Sequence, residues 1–566
     1  MKVTGLQENI GFFKPTAGEG SAAMERPALV PMNQKGIVAQ QVDQRGHTAQ
    51  HLTTATIMLV CFAFAACYFR FFVFLNVPLL PSGDAPGFVS DGARIVAGQL
   101  PYRDFFEMLP PGMPLTYALL IKTFGLFNWI PPLTMACLAG ATVFLITLIS
   151  ARLMQGPLVF LPALLFTGFI LLGSADATHH WFSTILILMA VLVLFDEATT
   201  FRIIVAGICC GAAACFTQSK GFTALLAFVT YLIWQAWHEN ARAGEYWRRC
   251  LILFAAALSV LAAANWYFIA AAGLSRWFYC LVTYPLRYYP APVINNWRVV
   301  LYDYQNHKSA SALIAFPFVY STVPVVYIAF LVFMRHRWRQ LSTRTRDRLM
   351  LLALIGVAMF LAIASAPSLK RLSTVSPPAM ILLAWFFDVP GRIAAALRTT
   401  LGTLAAALAI AMAVRVQAGW VSCLDLPAGR TAFTDSSVLE EYSWVRDHTH
   451  PGQFFWGMPP FYVPFHLTNP AAIAGYDSSE YTRPEEVSAL VQALQQHQVP
   501  MMILVSERKY QLTAKGPSNH LAPFIAYLHG NYRLTKTFAN GDEVWERVDA
   551  EPENSGTMNS RTLLDQ

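Results

Sequence analysis

Acidic and basic side chains cluster in one short stretch of this chain, directly after its first long apolar run. Residues 81–125 read PSGDAPGFVSDGARIVAGQLPYRDFFEMLPPGMPLTYALLIKTFG. A plain connection between two membrane helices has no need of such a cluster of side chains. The stretch therefore predicts a site that acts on a substrate held at the membrane surface. Its charged residues are Asp84, Asp91, Arg94, Arg103, Asp104, Glu107 and Lys122.

The composition indicates a membrane protein. Of the 566 residues, 55% are hydrophobic and only 13% are charged, and the mean hydropathy is +0.44. A soluble domain carries about 25% charged residues. The net charge of +7 reflects mostly arginines of predicted cytoplasmic loops, so it does not indicate nucleic-acid binding. The nine cysteines lie mainly in apolar runs and show no spacing typical of a metal site.

Apolar runs recur along the chain and must position the charged stretch. They predict about eleven transmembrane helices, although several runs are at or below the usual length of ~17–25 residues. The runs lie near residues 54–79, 131–150, 157–173, 181–196, 203–217, 221–237, 250–272, 309–334, 349–366, 372–388 and 399–416.

Arginine placement predicts the orientation of these helices, because cytoplasmic loops carry an excess of Lys and Arg. Residues 335–348 contain six arginines, and the arginine-bearing segments 238–250 and 392–398 are each two spans away. All three segments are therefore predicted to lie in the cytoplasm, together with the N-terminus. The predicted outer segments are 81–112, 173–181, 218–221, 273–308, 366–371 and everything after residue 420.

One short apolar run, residues 113–127, conflicts with this count if it also spans the bilayer. It has only about 15 residues and contains Lys122, which is short for a span. We interpret it as an interfacial helix on the outer face. The alternative is that another span is missed or merged.

The two ends of the chain differ from the apolar middle in composition and in residue periodicity. Residues 1–53 are polar and without periodicity, which predicts a disordered cytoplasmic tail. Residues 54–420 form the predicted transmembrane domain, with a catalytic first outer loop at 80–112. Residues 421–550 alternate between helix-type and strand-type segments and predict a small periplasmic α/β domain. Its predicted elements are helices at 437–447 and 484–498 and strands at 453–457, 501–506 and 542–548, and residues 551–566 are a predicted disordered tail.

The first outer loop resembles that of the GT-C glycosyltransferases. The residues that carry the resemblance are Asp84, the run ARIVAG at 93–98, PYRDF at 101–105, PPG at 110–112 and the pair FG at 124–125. The most similar group is the bacterial RgtA/B/C/D-like group, which is related to protein mannosyltransferases and aminoarabinose transferases. Members usually have Asp-Glu where this chain has Asp84-Ala85, so the aspartate is kept and the glutamate is not.

The resemblance implies a polytopic α-helical membrane protein of GT-C type in the bacterial inner membrane. Such an enzyme moves a sugar from a polyprenyl-phosphate donor to a hydroxyl of a glycan, lipid or protein acceptor, for example in lipopolysaccharide. The reaction needs a carboxylate that takes the acceptor proton and cations that neutralise the departing phosphate. By its position in the motif, Asp84 is implied to be this base.

Two further aspartates are candidate catalytic residues, each with a plain structural alternative. Asp104 could act in catalysis, or it could fix the loop by pairing with Arg103 or Arg94. Asp176, in GSADATHHWFS, could position the acceptor or bind a divalent cation, and His180 could assist. The alternative for Asp176 is a helix cap, and for His180 an interfacial anchor. The sequence requires no cofactor, and metal binding stays open.

Cations at the outer ends of predicted spans are candidate phosphate ligands. Lys220 in FTQSKGF and the Lys370–Arg371 pair in APSLKRLS have this position, and snorkelling is their alternative role. Arg287, in the aromatic-rich loop 273–308, could belong to a flap over sugar or lipid, or to an interface belt. The further substrate-binding candidates inside the motif are Tyr102 and Arg103.

Two other classes of function compete with the transferase. Transporters and flippases for lipid-linked sugars usually have paired halves and broken intramembrane helices. This sequence shows no internal repeat. A non-catalytic scaffold would use the outer α/β domain as its working part. An enzyme predicts that Asp84, Asp176 and Lys220 converge on one outward-facing cavity.

Overall fold

The computed structural model describes residues 34–239, 243–306, 310–506 and 519–548. Contacts divide the chain into two compact units, Met1–Thr54 and Ala55–Gln566. Helix α1 (Gln34–Phe71) begins within residues 1–53, and the disordered tail predicted for that stretch stays a prediction. No proline lies between residues 34 and 53, so nothing in the backbone stops the helix there. Residues 1–33 and the predicted tail at 551–566 lie outside the described residues.

Helices dominate the described chain, and each of the eleven predicted apolar runs is largely helical. Five helical segments are long and apolar enough to cross a membrane: Leu52–Phe71, Ile130–Ser150, Gly244–Ala272, Phe318–Gln340 and Arg392–Gly419. After α1 the helices are α2 (Ala85–Val96), α3 (Gly112–Phe124), α4 (Ile130–Ser150), α5 (Leu161–Leu165), α6 (His179–Leu194), α7 (Thr200–Phe216), α8 (Gln218–His238), α9 (Ala243–Ala272), α10 (Leu274–Phe278), α11 (Tyr284–Arg287), α12 (Val299–Asn306), α13 (Ala310–Arg337), α14 (Thr343–Ile363), α15 (Leu369–Val375), α16 (Pro377–Phe386) and α17 (Arg392–Gly419).

Three predicted runs are interrupted. The run at 54–79 ends as a helix at Phe71 and continues as a short hairpin, β1 (Phe72–Val73) with β2 (Val77–Pro78). The run at 157–173 changes from a 3-10 turn to α5 and then to a π-helix at Phe166–Leu171. The run at 372–388 breaks between α15 and α16, where two consecutive prolines begin the second helix. Helix α3 has only 13 residues, a length of about 20 Å, which is short of a span.

Small residues let several helices approach one another closely. On α7, Gly207 and Gly211 face the backbone of α9, and a Cβ atom at either position would lie 2.5 Å from a carbonyl oxygen of that helix. The spacing of four residues places both glycines on one face of α7, as in the packing motif of membrane helices. Gly168 in the π-helical segment approaches α17 in the same way, with Ala405 O 2.1 Å from where its Cβ would be.

The described residues of the C-terminal region pack two small antiparallel sheets with four helices. The first sheet pairs β3 (Ser422–Leu424) with β4 (Thr431–Phe433). The second has the order β5 (Met501–Leu504), β7 (Glu543–Arg547), β6 (Tyr532–Thr537), so the last strand along the chain is central. Residues 453–457 form isolated bridges at Phe454 and Trp456 where a strand was predicted. The helices are α18 (Ser436–His448), α19 (Tyr462–Phe465), α20 (Pro484–Gln496) and α21 (Ala522–Asn531).

A buried pair of carboxyl groups joins α18 to the turn between β6 and β7. Glu441 is 2% exposed and Asp542 is 7% exposed. The side-chain amide of Asn540 donates to both, at 3.1 Å to Glu441 Oε2 and 3.0 Å to Asp542 Oδ2. Burial, reinforced by the charge of Asp542, raises the pKa of Glu441 to about 8. The pair therefore holds a proton at neutral pH.

Candidate functional site

Asp84 and Asp176 lie side by side, whereas Lys220, predicted to converge with them on one cavity, is buried against His180 and Thr374. Asp84 is exposed and directly precedes α2, and its side chain does not cap that helix. Its backbone N–H donates to Asp176 Oδ2 at 2.9 Å. Gly83 makes the approach possible, because it has φ +82° and a Cβ there would lie 2.3 Å from Asp176 Oδ2. The carboxylate of Asp84 thus does not cap the helix, and the residue is held beside a buried acid.

Asp176 is the buried member of this pair, with an exposed fraction of 8%. Its Oδ2 atom lies 3.6 Å from the Nζ atom of Lys370, whose side chain is 56% exposed. Burial raises the pKa of Asp176 to about 6; Lys370 opposes this rise and Asp84 reinforces it. Helix α3 supports the loop from behind, since the Tyr117 hydroxyl donates to Ala177 O at 2.9 Å.

The second cation of the site is Arg371, which follows Lys370 on α15. The Ser368 hydroxyl begins this helix by accepting from the Arg371 N–H. The guanidinium donates to the hydroxyl of Tyr289 at 2.5 Å, to Asn295 Oδ1 at 3.4 Å and to the Ala366 carbonyl at 3.0 Å. The loop predicted to be a flap therefore contacts the Asp84 neighbourhood through Tyr289 and Asn295, which sequence reasoning did not single out.

Burial raises the pKa of Tyr289, and the negative charge of Asp84 adds to this effect while Arg371 opposes it. Tyr289 thus lies within electrostatic range of both groups. Asp84, Asp176, Lys370, Arg371 and Tyr289 form one cluster, called the Asp84 cluster below.

Lys220 lies inside the protein. Its side chain is completely buried, and Nζ donates to Thr374 Oγ1 at 2.7 Å, His180 O at 3.1 Å and Thr184 Oγ1 at 3.2 Å. These three acceptors use all three N–H groups of an ammonium. In this arrangement Lys220 ties α8 to α6 and α15, and it offers no free N–H to a phosphate.

The two histidines flank this buried lysine. The rings of His179 and His180 have centroids 3.9 Å apart. His179 is bonded through Nδ1 to the Thr217 hydroxyl at 2.8 Å, whereas Nδ1 of His180 is buried and makes no hydrogen bond. The proposed assistance of His180 to Asp176 stays a prediction. Among the described residues, no group of three or more His, Cys, Asp or Glu side chains could hold a metal ion.

Residues of the PYRDF motif build the loop. Asp104 accepts from the Leu100 N–H at 2.7 Å and forms a two-point salt bridge with Arg103, at 2.8 and 2.9 Å. The pairing with Arg103 holds the pKa of the Asp104 carboxyl below its usual value. This arrangement matches the structural alternative for Asp104, and it engages two of the five N–H donors of the Arg103 guanidinium.

Tyr102 is part of the packing and not of a binding surface. Its side chain is 0% exposed, its hydroxyl donates to Leu109 O at 2.7 Å, and its backbone has φ +68°. A substrate contact through this side chain, as predicted, does not fit such burial. Arg287 is exposed and lies over the ring of Tyr288, 5.4 Å from its centroid. The arginine of the Asp84 cluster is therefore Arg371, and Arg287 is not part of that cluster.

A second pair of acids in the first loop, Glu107 and the half-buried Asp91, was not predicted to interact. Glu107 is 7% exposed, and its Oε1 atom accepts from the Leu109 N–H at 2.8 Å. Asp91, on α2, lies within electrostatic range of it. Burial raises the pKa of Asp91 to about 6 and that of Glu107 well above its usual value, so the pair shares a proton. The contact between the two acids joins the first outer loop to α2.

Solved structures are similar to this chain in fold. The chain matches ArnT from Cupriavidus metallidurans bound to undecaprenyl phosphate with a TM-score of 0.56 and 12% identity, over 89% of this chain and 98% of ArnT. It matches the oligosaccharyltransferase of Archaeoglobus fulgidus in the apo form with a TM-score of 0.50 and 10% identity, over 86% and 74% of the two chains.

These similarities define the class of fold. The chain shares the fold of ArnT and of the archaeal oligosaccharyltransferase, in agreement with the fold that the first outer loop predicted. No family model matches the sequence, and no curated protein matches it. At 10–12% identity the similarity concerns the fold, and the function has to be argued from the site.

Proposed function

We propose that this protein is a glycosyltransferase that moves a sugar from a polyprenyl-phosphate donor to an acceptor hydroxyl at the outer face of a bacterial inner membrane. One observation carries the proposal: Asp84, whose side chain is exposed, binds through its backbone N–H to Asp176, which pairs with Lys370, and Arg371 follows Lys370 on α15. This combination matches the two requirements of sugar transfer from a phosphate, a base and a cationic site for the leaving group.

The reaction assigns a separate role to each group. The acceptor oxygen forms a bond to the anomeric carbon while its proton passes to the carboxylate of Asp84. The bond between the anomeric carbon and the phosphate oxygen breaks, and the electron pair leaves with the lipid phosphate. Lys370 and Arg371 neutralise the charge that develops on that phosphate. Asp176 acts as a positioning residue, because it binds the Asp84 backbone and the Lys370 ammonium.

The proposed topology has about eleven spans, a cytoplasmic N-terminus and a periplasmic C-terminal α/β region. A charge cluster at the opposite ends of several helices supports the predicted cytoplasmic face. Asp196 accepts from Arg152 at 2.6 Å, from Arg348 at 2.5 Å and from Arg344 at 3.1 Å. Three connections are thereby brought together on one arginine-rich face, as the positive-inside rule expects.

A flippase for lipid-linked sugars is the second candidate, because the helices interrupted at the π-helical segment Phe166–Leu171 and at Pro377 are a feature of transporters. A polyprenyl-phosphate donor with a radiolabelled sugar separates the two functions in membrane vesicles. A transferase moves the label to an acceptor fraction and releases polyprenyl phosphate. Movement of the intact labelled lipid across the bilayer, without release, would contradict the transferase.

A further inference from the structure

Tyrosines connect the loop 279–295 to the C-terminal region. The Tyr284 hydroxyl donates to Tyr481 O at 2.5 Å, and the rings of these residues have centroids 5.8 Å apart. Tyr289 also approaches Tyr481, with centroids 6.3 Å apart and planes inclined by 48°. The Arg483 guanidinium lies over Tyr288, 4.2 Å from the ring centroid. The C-terminal region therefore contributes Tyr481 and Arg483 to this aromatic contact.

Two of these tyrosines are buried and two are not. Tyr284 is 1% exposed and Tyr288 is 9% exposed, so both serve the packing of the loop. Tyr289 and Tyr481 are half-buried. We call Tyr289 and Tyr481 the tyrosine pair.

The tyrosine pair borders the Asp84 cluster. Tyr289 accepts a hydrogen bond from Arg371 and lies within the field of Asp84. A molecule resting on the pair would thus lie next to Arg371, at the border of the Asp84 cluster. The donor phosphate takes the side of Lys370 and Arg371, which leaves the side of the C-terminal region for the second substrate.

Half-buried tyrosine rings with a few convergent polar groups suit a pyranose ring, whose C–H face is apolar and whose rim carries hydroxyls. We propose that the tyrosine pair is a binding site for a sugar ring of the acceptor glycan. The role as acceptor rests on the proposed transferase function, whereas the binding of a sugar ring does not. The C-terminal region thereby takes part in substrate binding.

Saturation-transfer NMR on the full-length protein in nanodiscs tests this site without any need for turnover. The probe is the core oligosaccharide released from lipopolysaccharide by mild acid. The variants are Tyr481→Ala, Tyr481→Phe, which keeps the ring, and Tyr527→Ala, a half-buried tyrosine on α21 outside the pair. Melting temperatures verify that each variant is folded.

We expect saturation of the sugar C–H protons in the wild type, in Tyr481→Phe and in Tyr527→Ala, and an at least fivefold weaker signal in Tyr481→Ala. Equal signals in Tyr481→Ala and the wild type would overturn the site, and so would the absence of any signal from the wild type. A result in which the oligosaccharide binds as expected but no sugar is ever transferred would overturn the transferase function and leave the sugar site standing.

Discussion

The ion pair between Lys370 and Asp176 sets the pH at which the site works. Two opposite charges 3.6 Å apart attract by about 1 kcal/mol at the dielectric constant of water, and by about four times as much at an effective value of 20. Because more than half of the Lys370 side chain is exposed, the lower value applies. About 1 kcal/mol corresponds to roughly 0.5–1 pH unit in the pKa of Asp176.

Removal of the cation should therefore raise the pKa of Asp176 above its value of about 6. If the ionised form of Asp176 positions Asp84 and Lys370, the acidic limb of the transfer rate moves to higher pH in Lys370→Met by about 0.5–1 unit. Lys370→Arg keeps the charge and should leave the limb within about 0.3 unit of the wild type.

The assay is kcat/KM for sugar transfer from the polyprenyl-phosphate donor, measured between pH 5 and pH 8. Loss of a phosphate ligand lowers the whole profile, whereas loss of the ion pair moves its acidic limb, so the two effects separate. A Lys370→Met profile that is lower but has an unmoved acidic limb would refute the role assigned to the ion pair.

Three further predictions concern stability and topology. Glu441 has a pKa of about 8 when folded and an ordinary one when unfolded, so its stabilising proton is lost as pH rises. The unfolding free energy should fall by up to about 1.4 kcal/mol per pH unit between pH 5 and pH 8, and Glu441→Gln should flatten this slope while Glu440→Gln, at an exposed position, should not. Lys220→Met should lower the melting temperature by several degrees while the donor KM stays within about twofold, because its three bonds are internal; an unchanged melting temperature with a raised donor KM would restore the phosphate role. A cysteine at Ser436 should react with an impermeant thiol reagent in intact cells and one at Gln340 only after permeabilisation; the opposite pattern would invert the topology.

Much of the helical fold follows from hydropathy, because a run of apolar residues beside a bilayer has few alternatives to a helix. The breaks inside the runs do not follow so directly. Pro377 gives a local signal for the break before α16, whereas the π-helical segment Phe166–Leu171 has no such signal in its sequence. The start of α1 at Gln34 has no signal in the sequence either, because the polar composition there is typical of a disordered tail.

The proximity of Asp84 and Asp176 could be predicted, since both were assigned to outer segments next to spans. The burial of Lys220 could not, because a lysine at a helix end can face phosphate, lipid or protein, and only the neighbouring helices decide which. Tyr102 shows the same limit for an aromatic residue in a loop.

The contact between Asp91 and Glu107 depends on how the first loop folds back onto α2. Sixteen positions separate the two residues, and no local rule pairs them across such a distance. Tyr289 and Asn295 were likewise hidden, since their role depends on a contact with Arg371 from a distant helix.

The substitution Asp84→Asn tests the central claim most directly, because it keeps the shape of the side chain and removes the proton acceptor. Sugar transfer from the radiolabelled polyprenyl-phosphate donor should fall by roughly 10²–10⁴-fold, with normal abundance in the membrane. Asp104→Asn, in the exposed ion pair with Arg103, and Asp91→Asn, in the acid pair with Glu107, change the same loop and should each lower transfer by less than about tenfold. Full activity of Asp84→Asn, or a loss of activity in Asp104→Asn alone, would contradict the assignment of Asp84 as the base.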